Sequence, residues 1–147
     1  MEIAVLGLGC FWGPEIKFSK VSGVIKTEVG YCGGNTKETT YEEVCTGKTN
    51  HAEVVKLDFD PKIISYEKIL EYFFEIHDPT TLNSQGPDFG TQYRSEIFYL
   101  NDKQKKIANE VLDKENIKIS KKVVTKISLL KNYCAAEEHH QKYLEKR

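Results

Sequence analysis

The chain has 147 residues, of which 39% are hydrophobic and 11% aromatic. We therefore expect a single domain spanning 1–147, with a hydrophobic core. Its 21 Lys and Arg residues nearly balance its 22 Asp and Glu residues, which argues against a general nucleic-acid binder and against disorder. No apolar run approaches the roughly 18 residues of a membrane span, and no secretory signal is visible. We therefore expect a cytoplasmic protein that binds neither membrane nor nucleic acid, in which disulfides are the less favoured use of the four cysteines.

The first half of the chain predicts three strands and one helix. Residues 3–6 form a short apolar run that predicts a buried strand. Pro14 and Glu15 suit the first turn of a helix of about two turns. Residues 24–31 and 55–59 alternate between apolar and polar side chains, so each predicts a strand with one buried face.

The second half continues the same mixture. Ser65 can cap a helix whose apolar residues recur at helical spacing. A strand at 97–99, an amphipathic helix at 102–115, a strand at 123–129 and a terminal helix at 136–146 follow. The order βαββαβαβα predicts an α+β two-layer sandwich with a mixed or antiparallel sheet and a ferredoxin-like core.

Two segments, 31–52 and 77–93, fit no strand or helix period. They are rich in Gly, Thr, Asn, His and Asp. Loops of this length inside a compact domain are usually functional or disordered, and their aromatic and histidine content favours function.

Cys10 stands between the first predicted strand and the first predicted helix. A helix N-terminus favours an anion, so this position is expected to lower the pKa of the thiol and to produce a nucleophilic thiolate. Phe11 and Trp12 can form an apolar wall beside the sulfur. Position and composition alone leave two interpretations open, a catalytic thiol or a small buried hydrophobic residue.

Residues 9–13 read Gly-Cys-Phe-Trp-Gly and resemble the signature of the A-type peptide methionine sulfoxide reductases. Further blocks resemble the same family, occur in the family's order and cover nearly the whole chain. They are residues 30–34, 40–47, 51–55, 77–83, 85–86, 88–95, 136–137, 140–141 and 143–144. The resemblance implies reduction of the S-epimer of methionine sulfoxide in oxidised proteins, in peptides or as the free amino acid.

The resemblance also implies the catalytic groups. Cys10 matches the family nucleophile, whose thiolate attacks the sulfoxide sulfur and becomes a sulfenic acid. Glu53 matches the glutamate that protonates or hydrogen-bonds the sulfoxide oxygen. Tyr31 and Tyr93 match two tyrosine donors to that oxygen. This chemistry requires a carboxyl group with a raised pKa and neutral hydrogen-bond donors near the departing oxygen.

Four further residues are assigned supporting roles by the same resemblance. Phe11 and Trp12 match residues that hold the substrate methyl group, and Asp88 matches an acidic residue that organises the site through water. Tyr143 matches a tyrosine near the site in some relatives. The histidines show no metal-ligand spacing, so neither a metal nor a bound cofactor is expected.

The resemblance says least about the step that converts the Cys10 sulfenic acid back to a thiol. Many relatives carry a resolving cysteine on a tail beyond the last helix, and this sequence shows none there. Cys45 lies in a common family block and is interpreted as structural. Three possibilities stay open: Cys32 resolves the sulfenic acid, Cys134 resolves it, or an external thiol acts directly. The implied reductant is thioredoxin, or dithiothreitol in vitro, and the protein is expected to be a monomer.

Two other functions share a reactive Cys10. A peroxide-reducing or acyl-transfer cysteine enzyme needs a histidine base beside the thiol, and no motif ties a histidine to Cys10. A sensor that binds methionine sulfoxide and signals by oxidation of Cys10 would show no turnover.

Overall fold

The computed structural model describes residues 1–119 and 122–146, which form strands, α-helices and two short 3-10 helices. The strands are β1 (Glu2–Leu8), β2 (Val24–Cys32), β3 (Ala52–Phe59), β4 (Ser84–Gln85), β5 (Asp88–Phe89), β6 (Ser95–Tyr99), β7 (Lys126–Leu129) and β8 (Cys134–Ala135). The α-helices are α1 (Trp12–Ser19), α2 (Tyr41–Cys45), α3 (Tyr66–Glu75), α4 (Asp102–Lys118) and α5 (Tyr143–Lys146). The 3-10 helices are Thr91–Tyr93 and Glu138–His140. Every helix of the described part is too short or too polar to cross a lipid bilayer.

Six strands form one sheet in the order β7-β6-β1-β3-β2-β8. Neighbouring strands are antiparallel except β6 and β7, which run parallel. The strands β4 and β5 pair as a separate hairpin. The predicted α+β architecture with a mixed, mostly antiparallel sheet is therefore confirmed.

The two faces of the sheet carry cores of different size. Alternation along β1 sends Ala4 and Leu6 to one face, where they join buried residues of α1, α3 and α4 in the main core. Val5 points to the other face and joins a smaller cluster that contains no residue of those helices. The helices thus form a layer on one side of the sheet, and side chains from this side build the candidate site.

Except for the terminal helix, the predicted strands and helices occur in the predicted order, with boundaries shifted by a few residues. One local difference lies in β2, where Val24 pairs with Phe59 and Lys26 pairs with Asp58. The extra residue, Ile25, bulges outward and is 60% exposed, although the alternation predicts that it is buried.

The predicted terminal helix over 136–146 is wrong in its first half. That stretch contains the 3-10 helix and a break at Lys142, whose φ is +50°, before α5 begins. The break is held by side chains from elsewhere: Glu15 accepts a hydrogen bond from the Lys142 backbone N–H at 2.7 Å, and the Gln141 amide bonds to both backbone groups of Val29. Tertiary hydrogen bonds therefore override helix propensity here.

The two predicted loops contain short ordered elements. The first holds α2, whose N-terminus is capped by the Thr40 hydroxyl, which accepts from the Glu43 backbone N–H. The second holds the β4–β5 hairpin and the 3-10 helix Thr91–Tyr93. Both loops contribute residues to the region around Cys10.

Candidate active site

Cys10 lies on the turn between β1 and α1, at the helix-covered side of the sheet. Gly9, with φ of +97°, makes this turn possible, since a Cβ at that position would lie 2.7 Å from the Gln85 side chain. The thiol is half-buried and faces the backbone N–H of Trp12, the first residue of α1. The turn therefore places the sulfur at the helix N-terminus, as the sequence predicts.

The expected lowering of the Cys10 pKa does not occur in the unliganded site. Burial of the thiol, followed by the negative charges of Glu53 and Asp88, raises its pKa to about 11. The Trp12 N–H acts in the opposite direction but is outweighed. Cys10 is therefore a neutral thiol at pH 7 before substrate binds.

Glu53 lies in β3 with only 1% of its surface exposed. Its Oε1 accepts a hydrogen bond from the Phe11 backbone N–H at 3.3 Å, which fixes the carboxyl group beside the Cys10 turn. Burial is the main cause that raises the pKa of Glu53 to about 7, and the charge of Asp88 adds to it. The Phe11 N–H and the nearby Gln92 amide act in the opposite direction.

The two oxygens of this carboxyl group differ. Oε2 is buried and makes no hydrogen bond of normal geometry with any group in the described part of the chain. A buried oxygen without a partner is unfavourable unless it is protonated and meets a ligand. Glu53 is thus a carboxyl group that can hold a proton near pH 7 and donate it.

Asp88 and Tyr93 reach the same region from the second loop. Asp88 lies in β5 and raises the pKa values of Cys10, Glu53 and Tyr93 through its charge. Tyr93 ends the 3-10 helix, and burial together with the charges of Glu53 and Asp88 raises the pKa of its hydroxyl to about 12. The Tyr93 hydroxyl therefore stays neutral at pH 7 and can act as a donor.

The contacts of Tyr31 do not fit its predicted role as a donor to the substrate oxygen. It pairs with Glu53 across β2 and β3, and its ring lies 5.7 Å from that of Phe11. Its hydroxyl, however, donates to a carboxylate oxygen of Glu137 at 2.8 Å. A phenol has one hydrogen to donate, so this contact argues against Tyr31 as a donor to a substrate oxygen.

Tyr41 is a site residue that the sequence interpretation did not single out. It begins α2, and its ring lies 4.7 Å from that of His140. Burial, a hydrogen bond with Cys45, and the proximity of the ionisable groups of Tyr93, Cys45 and Glu53 raise the pKa of its hydroxyl. The sequence signal that could have identified Tyr41 was its place in block 40–47, directly after Thr40, which caps α2.

Aromatic rings form the wall next to Cys10. Phe11 is buried in the main core, whereas Trp12 is half-buried and stacks on Tyr143 with ring centres 3.9 Å apart at an angle of 11°. The Trp12 indole N–H donates to His140 Nδ1 at 3.2 Å, which fixes the rotation of the indole. The structure thus places Trp12 against Tyr143, and His140 contacts the rings of both Phe11 and Trp12.

The two predicted resolving cysteines lie on different faces of the sheet. Cys32 pairs with Ala52 and belongs to the small cluster on the face away from the helices. Cys134 in β8 pairs with Tyr31 and packs against the main core. All four cysteines are free thiols, and Cys45 is the exposed one. Within the described residues, no cluster of three or more His, Cys, Asp or Glu side chains could hold a metal ion.

Comparisons with known proteins agree with this geometry. The sequence model of the family described as "Peptide methionine sulfoxide reductase" matches residues 2–147. A peptide methionine sulfoxide reductase MsrA of Pelagibacter ubique is 82% identical over 147 residues, which is 100% of both chains.

Solved structures give the same result. Reduced Mxr1 from Saccharomyces cerevisiae superposes with a TM-score of 0.95 at 40% identity, over 99% of this chain and 85% of that one. Mxr1 in complex with Trx2 superposes with a TM-score of 0.69 at 27% identity, over 97% and 84%. The fold and site therefore define a thiol oxidoreductase, and the chain belongs to the peptide methionine sulfoxide reductase family. It reduces methionine sulfoxide in peptides.

Proposed function

We propose that Cys10 and Glu53 carry out this reduction as nucleophile and proton donor, on the S-epimer of methionine sulfoxide. The single observation that supports this most strongly is the buried Glu53 carboxyl group, which has an unpartnered Oε2 and a pKa of about 7 and is bonded through Oε1 to the residue after Cys10. A group of this kind supplies a proton to an oxygen that leaves sulfur.

The first step conserves atoms and electrons. The Cys10 sulfur attacks the sulfoxide sulfur and forms a sulfur–sulfur bond. The protonated oxygen then moves to Cys10: a sulfur–oxygen bond to Cys10 forms, and both the substrate sulfur–oxygen bond and the new sulfur–sulfur bond break, which leaves Cys10 as a sulfenic acid. Methionine leaves as the thioether, reduced by two electrons, and Cys10 is oxidised by two. Glu53 supplies the proton that the oxygen needs as its negative charge develops.

Ionisation of Cys10 is coupled to the protonation of Glu53. The charge of Glu53 is, after burial, one of the causes that raise the Cys10 pKa. When Glu53 takes up a proton, this charge disappears, and the Trp12 N–H then favours the thiolate more strongly. The reactive form therefore pairs a neutral Glu53 with an ionised Cys10.

Two tyrosine hydroxyls assist the proton donor. Tyr93 and Tyr41 are electrostatically coupled to each other and to Glu53, whereas Tyr31 is bound to Glu137. We therefore assign the two donor roles to Tyr93 and Tyr41, and give Tyr31 a packing role. The Tyr41 hydroxyl also contacts Cys45, but a thiol is a much weaker acceptor than the Glu137 carboxylate that holds Tyr31, so Tyr41 can exchange this contact for the substrate oxygen. Neutral donors that face a developing oxyanion stabilise the transition state without titrating at pH 7.

The aromatic wall selects the substrate. Trp12, stacked on Tyr143 and held by His140, offers a rigid apolar surface beside the Cys10 sulfur. A thioether methyl group packs well on such a surface. Asp88, on the opposite loop, organises the site through its charge. Both peptide-bound and free methionine sulfoxide fit this description.

An external dithiol supplies the two electrons that return Cys10 to the thiol, with no bound cofactor. Thioredoxin is the proposed physiological reductant, supported by the Trx2 complex of the yeast relative, and dithiothreitol replaces it in vitro. This chemistry suits the cytoplasm, since that compartment keeps thiols reduced. We propose that the protein acts there as a monomer.

The strands around the site also support the finer fold prediction. The order β6-β1-β3-β2, antiparallel throughout and connected by α1 and α3, supports the proposal of a ferredoxin-like core.

Turnover of methionine-S-sulfoxide with dithiothreitol tests the proposed function. The wild-type chain is expected to form methionine from the S-epimer and none from the R-epimer, and Cys10→Ser is expected to be inactive. Cys32→Ser is the matched control, because its thiol lies on the other face of the sheet. Full activity of Cys10→Ser, or equal turnover of both epimers, would contradict the proposal.

A further inference from the structure

Cys45 stands at the rim of the proposed site, although the sequence suggests only a structural role. It is the last residue of α2 and is exposed to solvent. Its sulfur accepts a hydrogen bond from the Gln92 side-chain amide at 3.4 Å. The Tyr41 hydroxyl contacts it as well. The thiol is therefore held by two side chains that belong to the site, while its outer side stays open.

The same side chains connect Cys45 with the reacting groups. Gln92 is buried, and its amide lies close enough to Glu53 to lower the pKa of that carboxyl group. Tyr93, the neighbour of Gln92, lies close enough to both Cys45 and Cys10 that ionisation of either thiol would raise the pKa of its hydroxyl. Cys45, at the end of α2, and Cys10, on the turn between β1 and α1, therefore both border the group formed by Gln92, Tyr93 and Glu53.

The other two thiols are less well placed. Cys32 is fully buried on the opposite face of the sheet and donates to the Lys131 carbonyl, so β2 would have to turn over to bring it to Cys10. Cys134 is held in β8 next to Tyr31, packed against the core. Neither sits on a short segment that can move without loss of sheet pairing.

We propose that Cys45 is the resolving cysteine, and that it forms a disulfide with Cys10 after each reduction of substrate. This inference rests on the proposed function. The Cys45 sulfur attacks the sulfur of the Cys10 sulfenic acid, a sulfur–sulfur bond forms and the sulfur–oxygen bond breaks. The hydroxide that leaves takes up the thiol proton of Cys45 and departs as water. An external dithiol then reduces the disulfide, and both thiols are regenerated.

The proposal requires Cys45 to move toward Cys10, and the segment that carries it is short. A disulfide requires the two Cα atoms to come within about 7 Å. The helix α2 has five residues, and the exposed turn after it contains Gly47 and Asn50, both at positive φ. Val44 is the buried residue of the helix, whereas Cys45, its last residue, is exposed. Once formed, a disulfide at an exposed position is open to attack by a second protein, whereas Cys10 lies deeper.

A single turnover without reductant tests the proposal. The pre-reduced chain is mixed with one equivalent of methionine-S-sulfoxide and quenched in acid. Methionine, free thiols and cross-linked peptides are then measured by mass spectrometry. We expect one methionine per chain, loss of two of the four thiols, and a peptide that joins Cys10 to Cys45.

Variants separate the three candidates. In Cys45→Ser, methionine is still expected to form, but Cys10 should remain a sulfenic acid that dimedone traps. Thioredoxin-supported turnover should fall by about tenfold or more, while turnover with dithiothreitol, which reduces a sulfenic acid directly, is retained. Cys32→Ser and Cys134→Ser should keep the Cys10–Cys45 link.

Two results would overturn the inference while leaving the proposed function intact. One is a wild-type chain that forms methionine and keeps a sulfenic acid on Cys10. The other is a disulfide from Cys10 to Cys32 or Cys134. If no methionine forms at all, it is the proposed function that fails.

Discussion

The two side-chain oxygens of Glu53 have different surroundings, and this difference links stability with catalysis. Oε1 is bonded to the Phe11 N–H, and Oε2 is buried without a partner. Burial favours the neutral acid, so the pKa rises from the ordinary 4.5 to about 7. The folded chain therefore holds a proton at a pH at which the unfolded chain has released it.

This shift predicts how the stability of the Glu53→Gln variant depends on pH. The favourable contribution of protonated Glu53 is fully present below pH 4.5 and is lost as pH rises to about 7. Relative to wild type, the variant should gain up to about 3 kcal/mol of unfolding free energy between pH 5 and pH 8. Urea unfolding at both pH values measures this gain. The exposed control Glu110→Gln should show no such gain, and an equal response of the two variants would contradict the burial of Glu53.

Substitutions of the three tyrosines should have two distinct outcomes. Tyr41→Phe and Tyr93→Phe each remove a proposed donor, so the first-turnover rate should fall roughly 10²-fold in each while unfolding free energy changes little. Tyr31→Phe removes the partner of Glu137 and should instead lower stability by about 1–3 kcal/mol. Quenched-flow measurement of the first-turnover rate and urea unfolding of the three variants separate these effects. A large rate loss confined to Tyr31→Phe would restore the assignment made from the sequence.

At the residue scale, the sequence predicts which residues belong to the site better than it predicts what surrounds their side chains. It predicts Cys10, Glu53 and the aromatic wall from one block-by-block resemblance. It predicts the wrong direction for the Cys10 pKa, because burial and the charges of Glu53 and Asp88 come from distant parts of the chain. The hydrogen bond that engages Tyr31 also depends on a residue 106 positions away.

At the element scale, long and locally capped elements are predictable. The helix α3 begins where Ser65 caps it, through a hydrogen bond from the Lys68 N–H, as the sequence indicates. The helix α2 and the strand β8 escape prediction, because five and two residues are too few for a periodic pattern. Such short elements exist only through tertiary contacts.

The pairing of β8 with β2 predicts a sensitive position at Gly30. A Cβ there would lie 2.6 Å from the Cys134 carbonyl oxygen, so Gly30→Ala should push β8 away. We expect about 1–3 kcal/mol of lost stability and a higher KM, since β8 leads into the segment that carries His140 and Tyr143. Urea unfolding and steady-state kinetics measure both effects.

A second glycine provides the control for this experiment. A Cβ at Gly13, in α1, meets no atom within 4 Å, so Gly13→Ala should keep or slightly raise the unfolding free energy. If the two variants lose the same stability, the proximity of β8 to Gly30 is not the cause.

At the scale of the whole molecule, the sheet assembles one site from five distant segments. The turn after β1 supplies Cys10, β3 supplies Glu53, and the two loops supply Tyr41 and Tyr93. The C-terminal segment closes the wall with His140. The order of elements predicts this architecture, but not which loop side chains face each other, because that depends on packing between segments with no local pattern.

The pH dependence of the first-turnover rate tests the central claim, that Glu53 donates the proton while Cys10 attacks. Below pH 7 the rate should rise with pH as Cys10 ionises, because its pKa is about 11. Above the Glu53 pKa of about 7, each gain in thiolate should be cancelled by loss of the Glu53 proton, so the wild-type profile should become flat. In Glu53→Gln the rate should be lower throughout and should keep rising through about pH 9, with no break near 7. A break near pH 7 that persists in Glu53→Gln would contradict the assignment of Glu53 as the proton donor.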